Sequence, residues 1–189
     1  MRAAAKLPLL LALCLALSAC ATMGAQTASA PQPLKPIKVS QFFTGRWYEI
    51  ARTPISLVHN CVAGTTDFFR NANGRLVERD ECRMGSPAGK VKIFQGPIHM
   101  LNPGQNNKFV VHYTLFWVVP FAQTYWIIDH GTNYHWFIVA TPSFQEISIL
   151  DRNPRPSPAQ TAALTARAKA LGYDVSKLQF PPEFPPGQG

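Results

Sequence analysis

An all-β fold, an eight-stranded antiparallel up-and-down β-barrel with one C-terminal α-helix packed on its outside, is what this sequence predicts. Three observations predict it. Eight short runs of strand-forming residues follow one another from Trp47 to Asp151, separated by turn material such as "NANG", "GSPAG" and "LNPGQNN". No helix long enough for a parallel crossover interrupts them, so sequential runs pair as an antiparallel meander. Only after the eighth run does the apolar period lengthen to that of a helix. Such a meander removes its exposed edges by closing, and an eight-stranded interior holds either packed side chains or one small ligand.

Before the strands come two segments that a barrel does not use. With 189 residues, 47% hydrophobic and 15% charged, the chain can bury one full core, and one domain is expected. Residues 1–19 have a basic start in Arg2 and Lys6 and then the apolar "LPLLLALCLALSA", the length of a signal peptide and too short for a membrane-spanning helix. Leu17-Ser18-Ala19-Cys20 resembles the bacterial lipobox, in which small residues admit the peptidase and the cysteine thiolate takes up diacylglycerol. The resemblance implies lipid attachment at Cys20, with palmitate and diacylglycerol chains as a membrane anchor; the alternative is an ordinary signal peptide cut elsewhere. One acyl chain holds a protein only marginally, at about 0.8 kcal/mol per buried methylene, whereas two or three hold it durably. Ala21 stands where an aspartate would retain an inner-membrane lipoprotein, which implies the cell outer membrane, facing the periplasm. Residues 20–36, rich in Ala, Pro, Thr and Gln, read as a lipid-anchored flexible tether.

The strand runs are Trp47–Arg52, Val62–Arg70, Arg75–Cys82, Lys90–Met100, Lys108–Val118, Gln123–Asp129, Tyr134–Thr141 and Gln145–Asp151. Once Cys14 leaves with the signal and Cys20 carries lipid, Cys61 and Cys82 remain as an even pair in an oxidising compartment, and a disulfide is the expectation. If the "NANG" turn centres on Ala72 and Asn73, Cys61 faces Met84 rather than Cys82, so the bond needs a shifted turn or a bulge. The alternative is two unpaired thiols. After the strands, Ser157-Pro158-Ala159-Gln160 combines an N-cap, a proline in the first turn and a glutamine at the capping-box position, and Gly172 closes the helix. Leu164, Ala168 and Leu171 fall on one face of it, directed at the sheet. Residues 181–189 form a Pro/Gly-rich tail.

The chain carries a net charge of +8, and +6 once Arg2 and Lys6 are lost. A basic surface suits anionic lipid headgroups as well as nucleic acid. With a cell-envelope address, no Lys/Arg-rich helix and no stacked-aromatic signature, no nucleic-acid partner is expected. No cofactor or metal motif is present either: there is no Gly-x-Ser-x-Gly elbow and no His-Glu-x-x-His site.

"FFTGRWYEIAR" (Phe42 to Arg52), "IIDHGTNYHWFIVAT" (Ile127 to Thr141) and "ILDRNP" (Ile149 to Pro154), in this order, resemble the three motifs of the lipocalin family, specifically the bacterial outer-membrane lipocalins related to apolipoprotein D. The segment "LGYDVSKLQF" resembles the family's stretch after the helix, so the resemblance covers nearly all of residues 37–180. It implies a calyx whose closed end is plugged by Trp47, with Arg152 lying across the indole as a cation–π pair and Gly45 permitting the sharp turn beneath. Asp129 takes the place of the aspartate in the second motif. Family analogy together with strand parity assigns Phe109, Val111, Tyr113, Leu115, Tyr125, Ile127 and Trp136 to the ligand cavity. A one-residue register error would exchange inside for outside.

The resemblance implies a lipid-binding protein for storage, transport or membrane maintenance, taking fatty acids or lysophospholipids with the headgroup near the rim. Arg79, Arg83 and Lys92 are candidate cations there. Two features depart from the family's simplest pattern: the loop "LVHNC" carries Cys61, and "FWVVPFAQ" makes an unusually apolar connection. Its Phe116, Trp117 and Phe121 could touch a membrane, pair with a second copy in a homodimer, or fold inward. The alternative function is a lipocalin-type isomerase using a cavity thiol, for which His59, His99, His112, His130 and His135 are available bases. If the two thiols are bonded, such an enzyme loses its nucleophile, and Asp129 and His130, adjacent on a strand, face opposite ways and make a poor dyad. A solid barrel in a purely structural lipoprotein is the third possibility.

Overall fold

Alternating side chains and Asn/Gly turns produce a closed antiparallel barrel in the computed structural model, which describes residues 29–54, 60–115 and 118–182. Strand β1 is Gly45–Arg52, β2 Cys61–Arg70, β3 Leu76–Met84, β4 Val91–Met100, β5 Lys108–Leu115, β6 Val119–His130, β7 Trp136–Ala140 and β8 Ile147–Asp151. Each pairs with the next, and β8 returns to pair with β1, so no edge is left open. A short helix α1 (Val39–Phe42) precedes β1, and the long helix α2 (Pro158–Ala170) follows β8.

The β2–β3 turn forms within the "NANG" segment but is shifted, centring on Asn73, since Arg70 pairs with Leu76. Gly74 adopts φ +73°, and the Asn71 side chain accepts hydrogen bonds from the backbone of Asn73 and Arg75. Cys61 does lie opposite Met84, but a bulge between Cys61 and Ala63 shifts the register so that Gly64 faces Cys82. The bulge brings the two cysteine Cα atoms to 5.6 Å, and Cys61 and Cys82 are bonded.

Helix α2 begins at Ser157, whose hydroxyl accepts from the Gln160 backbone N–H at 3.2 Å, and ends before Gly172 at φ +95°. Leu164 and Ala168 are buried against Ile138, Ile147 and Ile149 on the outer face of the sheet. A second core fills the base of the barrel from within, built on Phe42, Trp47, Phe68, Phe109 and Phe137.

Two boundaries differ from expectation. Strand β5 stops at Leu115 and β6 starts at Val119, because Thr114 pairs with Pro120 and Tyr113 with Phe121. The apolar run "FWVVPFAQ" contains no Gly, Asn or Asp to mark its turn, so alternation there was ambiguous; Phe116 and Trp117 lie outside the described residues. The segment from Ser29 to Pro36, expected to be the end of the tether, is instead a strap along the barrel wall. Ala30 is buried beside Pro142, and the Lys35 carbonyl accepts from Asn107. A small alanine fits under the β7–β8 loop, and Lys35 supplies an ion pair that no flexible linker would need.

Candidate functional site

The closed end of the barrel is built from β1 outward. Gly45 takes φ +63°, a conformation glycine adopts without strain, and a Cβ there would stand 3.4 Å from the Arg152 guanidinium. The turn delivers Trp47, fully buried, to the axis, where its ring meets Phe137 edge-on at 4.6 Å and Phe42 at 5.2 Å. The Arg152 guanidinium covers the other side of the indole at 3.5 Å from its centroid. It also donates to the carbonyls of Thr44 (2.7 Å), Arg46 (2.9 Å) and Phe42 (3.2 Å), and burial lowers its pKa to about 10. Gly45, Trp47 and Arg152 therefore form one plug.

Above the plug is a cavity of about 220 Å³. Phe68, Phe109, Phe137 and Leu150 make its base. Phe94, Tyr125 and Val139 line it higher up, and Phe121 reaches in beside Tyr113, their rings stacked at 6.2 Å. Between these levels runs a band of acid that the apolar pattern did not announce. The Tyr113 hydroxyl donates to Glu78 at 2.7 Å and lies 3.0 Å from Asp80, which also accepts from Thr66 at 2.7 Å. Burial pushes the Glu78 carboxyl well above the usual carboxylate range, with the charge of Asp80 adding to it, and burial raises Asp80 too. Tyr113 and Tyr125 are likewise held well above the ordinary phenol value, first by burial and then by the neighbouring carboxylates. No described basic residue forms a salt bridge with Glu78 or Asp80.

Near the open end a second carboxyl is paired. Arg52 donates to Glu49 at 2.6 Å, Ser148 donates to the other oxygen at 3.1 Å, and Arg52 also bonds the Cys61 carbonyl. Burial raises the Glu49 pKa, opposed by Arg52. The Cys61–Cys82 disulfide sits beside this pair and ties β2 to β3 at the mouth.

The structure sorts the expected cavity residues into three groups. Phe109, Tyr113 and Tyr125 line the cavity. Val111 and Ile127 are buried in the same inner core but are not among the lining residues. Trp136 is a correction: it faces outward, packing against the core under α2, with Lys35 and Arg167 each about 6 Å from its ring. Phe137 and Val139 take the inward positions of β7, and nothing in "YHWFIVAT" distinguishes the two parities because both are apolar. The Leu115 side chain, Cys20 and His59 lie outside the described residues.

Asp129, expected as the second motif's aspartate, is a clamp. Burial alone would raise its pKa, but Arg167 of α2 and Lys35 of the strap (2.7 Å) bond it and hold it below the usual carboxylate value. Among the candidate cations, Arg79 is spent on Asp67 and Glu81. Arg83 and Lys92 stand at the mouth end of β3 and β4, with the Lys92 ammonium 5.0 Å from the Phe94 ring. His99, His112, His130 and His135 do not line the cavity. The acidic wall could have been found from alternation in β3: Leu76, Glu78, Asp80 and Cys82 share a face, and the cysteine and leucine mark that face as inward.

Residues 37–183 match the family model of a lipocalin-like domain. The chain is 26% identical over 156 residues to temperature-induced lipocalin-1 of Arabidopsis thaliana, spanning 79% of this chain and 81% of that one. Among solved structures it resembles insecticyanin from the tobacco hornworm Manduca sexta, with a TM-score of 0.63 at 14% identity over 81% of this chain and 85% of that one. The tryptamine complex of the amine-binding protein of Rhodnius prolixus is similar at a TM-score of 0.59 and 15% identity, covering 81% and 86%. At these identities the solved structures share the fold.

Proposed function

Because the chain belongs to the lipocalin-like family, we propose that it is a lipid carrier whose cavity takes up fatty acids or lysophospholipids for storage, transport or membrane maintenance. The observation that carries this reading is an aromatic-walled cavity stoppered below by Trp47 and Arg152 and open beyond Arg52 and Phe121. Removing a hydrocarbon tail from water there contributes roughly 25 cal/mol per Å² of apolar area, without precise polar recognition. The acidic band gives the ligand a direction. A carboxylate or phosphate pushed down to Glu78 and Asp80 would lose its water in a site with carboxyl groups and no described basic partner, so the tail enters first and the headgroup stays beside Arg83 and Lys92. The cavity is smaller than the ~300–1,000 Å³ of sites that enclose drug-sized ligands, which agrees with a chain whose polar end remains outside.

The same proposal covers the N-terminus. Removal of residues 1–19 and acylation of Cys20 would make the protein an outer-membrane lipoprotein related to apolipoprotein D. A thiol-dependent isomerase gains no support, since both candidate thiols are bonded to each other. Native mass spectrometry of the purified protein, followed by titration with a fluorescent fatty acid, tests the reading. One bound single-chain lipid per protein is expected; failure of fatty acids and lysophospholipids alike to bind would overturn it.

A further inference from the structure

The geometry points to the open end of the barrel as a membrane-docking surface, held mouth-down on an anionic phospholipid bilayer. The inference rests in part on the proposed acylation of Cys20, and its rim chemistry stands apart from that.

The first support is the direction of the strap. Ile37 bonds the β4–β5 loop through Gln105 and Lys35 reaches the carbonyl of His130, both at the plugged end. Going backward along the chain, the strap climbs the wall until Ala30 bonds Pro142 in the β7–β8 loop, at the open end. The chain therefore leaves the barrel beside the mouth, only nine residues after Cys20. Those nine residues reach about 30 Å if fully extended and about 16 Å as a relaxed coil. An eight-residue strand such as β1 is itself about 27 Å long. To set the plugged end against the bilayer, the tether would have to run back along almost the whole barrel at full stretch. Setting the mouth there costs no stretching at all.

The second support is the rim. Val118 is 77% exposed and Val119 49%, at the tip of the β5–β6 hairpin. Phe180 is 52% exposed, brought to the mouth by the bridge between Gln179 and Arg52. Lys90 stands in the β3–β4 turn at the same end and is exposed, with Arg83 and Lys92 nearby, while Glu146 is the exposed acid of the β7–β8 loop. Apolar tips on the same rim as the cations of the β3–β4 hairpin suit an interface where side chains enter the acyl boundary and ammonium groups meet lipid phosphates. A ligand could then pass between bilayer and cavity without crossing water.

The test uses the mature chain, residues 20–189 expressed without the apolar signal segment and with Cys20→Ala, so that vesicle binding owes nothing to acyl chains or to the signal. Flotation with vesicles of phosphatidylglycerol and phosphatidylethanolamine is expected to retain the protein, and pure phosphatidylcholine to retain at least tenfold less. Val118→Asp/Val119→Asp and, separately, Lys90→Glu should each lower retention on the anionic vesicles about tenfold. Equal retention of these variants, or none by the parent, overturns the proposal. So does a concentration-dependent dimer in sedimentation that Val118→Asp/Val119→Asp abolishes, because a second copy would then cover the surface. In the acylated protein, a fluorophore at Val118→Cys should be quenched by lipid-borne quencher and one at Leu101→Cys, at the plugged end, should not; the reverse pattern overturns the orientation. Fatty-acid uptake by the same Val118→Asp/Val119→Asp variant in lipid-free solution separates the two readings. Uptake unchanged with docking lost supports docking, whereas absent uptake in the parent with docking intact removes the carrier reading alone.

Discussion

Arg152 shows how one side chain closes a barrel. Its guanidinium covers the Trp47 indole at 3.5 Å while bonding three carbonyls of the segment that leads into β1, so it ties the end of β8 to the start of the chain's first strand. The stack is worth about 0.5–2 kcal/mol, and its charged hydrogen bonds add to that, though not additively. Arg152→Met keeps an apolar stem over the indole and loses both contributions, so a fall in unfolding free energy of about 2–4 kcal/mol is expected in urea titrations. A loss too small to resolve would mean the ring packing of Phe42 and Phe137 suffices. Glu78 behaves in the opposite sense. Burial raises its pKa in the folded protein, so the folded state holds a proton that the unfolded state releases in the usual carboxylate range. Stability is therefore highest at low pH on this account and declines as pH rises through the folded value. Glu78→Gln preserves the shape without the charge, and it should flatten the dependence and gain on the order of 1 kcal/mol over the parent near pH 8. Melting temperatures of the two proteins that run parallel from about pH 5 to pH 8 would show that Glu78 titrates as an ordinary carboxyl.

The bulge in β2 is the element that makes the mouth. Without it the register of the rest of β2 would carry Cys61 past Met84 to a place opposite Gly85, one step further from Cys82, and the disulfide and the Arg52 bond to the Cys61 carbonyl would be set differently. The disulfide closes a sequence separation of 21 residues, for which the chain-entropy account gives a stabilisation of about 3 kcal/mol. Cys61→Ser/Cys82→Ser should lose that much in denaturant. It should also speed amide exchange in Cys61–Thr66 and Glu81–Met84 more than in the plugged-end halves of the same strands. Uniform acceleration along β2 and β3 would show that the bond steadies the whole sheet and not the mouth. Helix α2 is held differently, by burial of Leu164 and Ala168 and by Arg167 reaching Asp129, the carboxyl that also receives Lys35. One buried aspartate thus fastens helix and strap to the barrel, a structural role for the second motif.

Across the whole molecule, the legible features were those whose chemistry is local. Turn residues and the Ser157 cap follow from short patterns, strand number and closure follow from counting them, and the plug of Gly45, Trp47 and Arg152 follows from the resemblance of three short motifs to those of the lipocalins. Wall identity was less legible because both faces of β7 are apolar: Phe137 packs inward on Trp47, while Trp136 serves the seam under α2. The acids of β3 were hidden for a related reason, since charge is ordinarily a mark of the outer face and here Tyr113 and Thr66 supply partners inside. This wall sets a limit on the ligand. An apolar tail gains about 0.8 kcal/mol for each methylene it buries, close to fourfold in affinity. That gain should continue only while methylenes enter the 220 Å³ above Phe109 and Phe137. Affinities of a saturated fatty-acid series, measured in lipid-free solution, should therefore climb steeply among short chains and flatten once the tail touches the base. Substituting Phe109→Ala deepens the base, so the break should move to longer chains even though the variant is less stable. If the break stays where it was, the tail does not reach Phe109 and binds nearer the mouth.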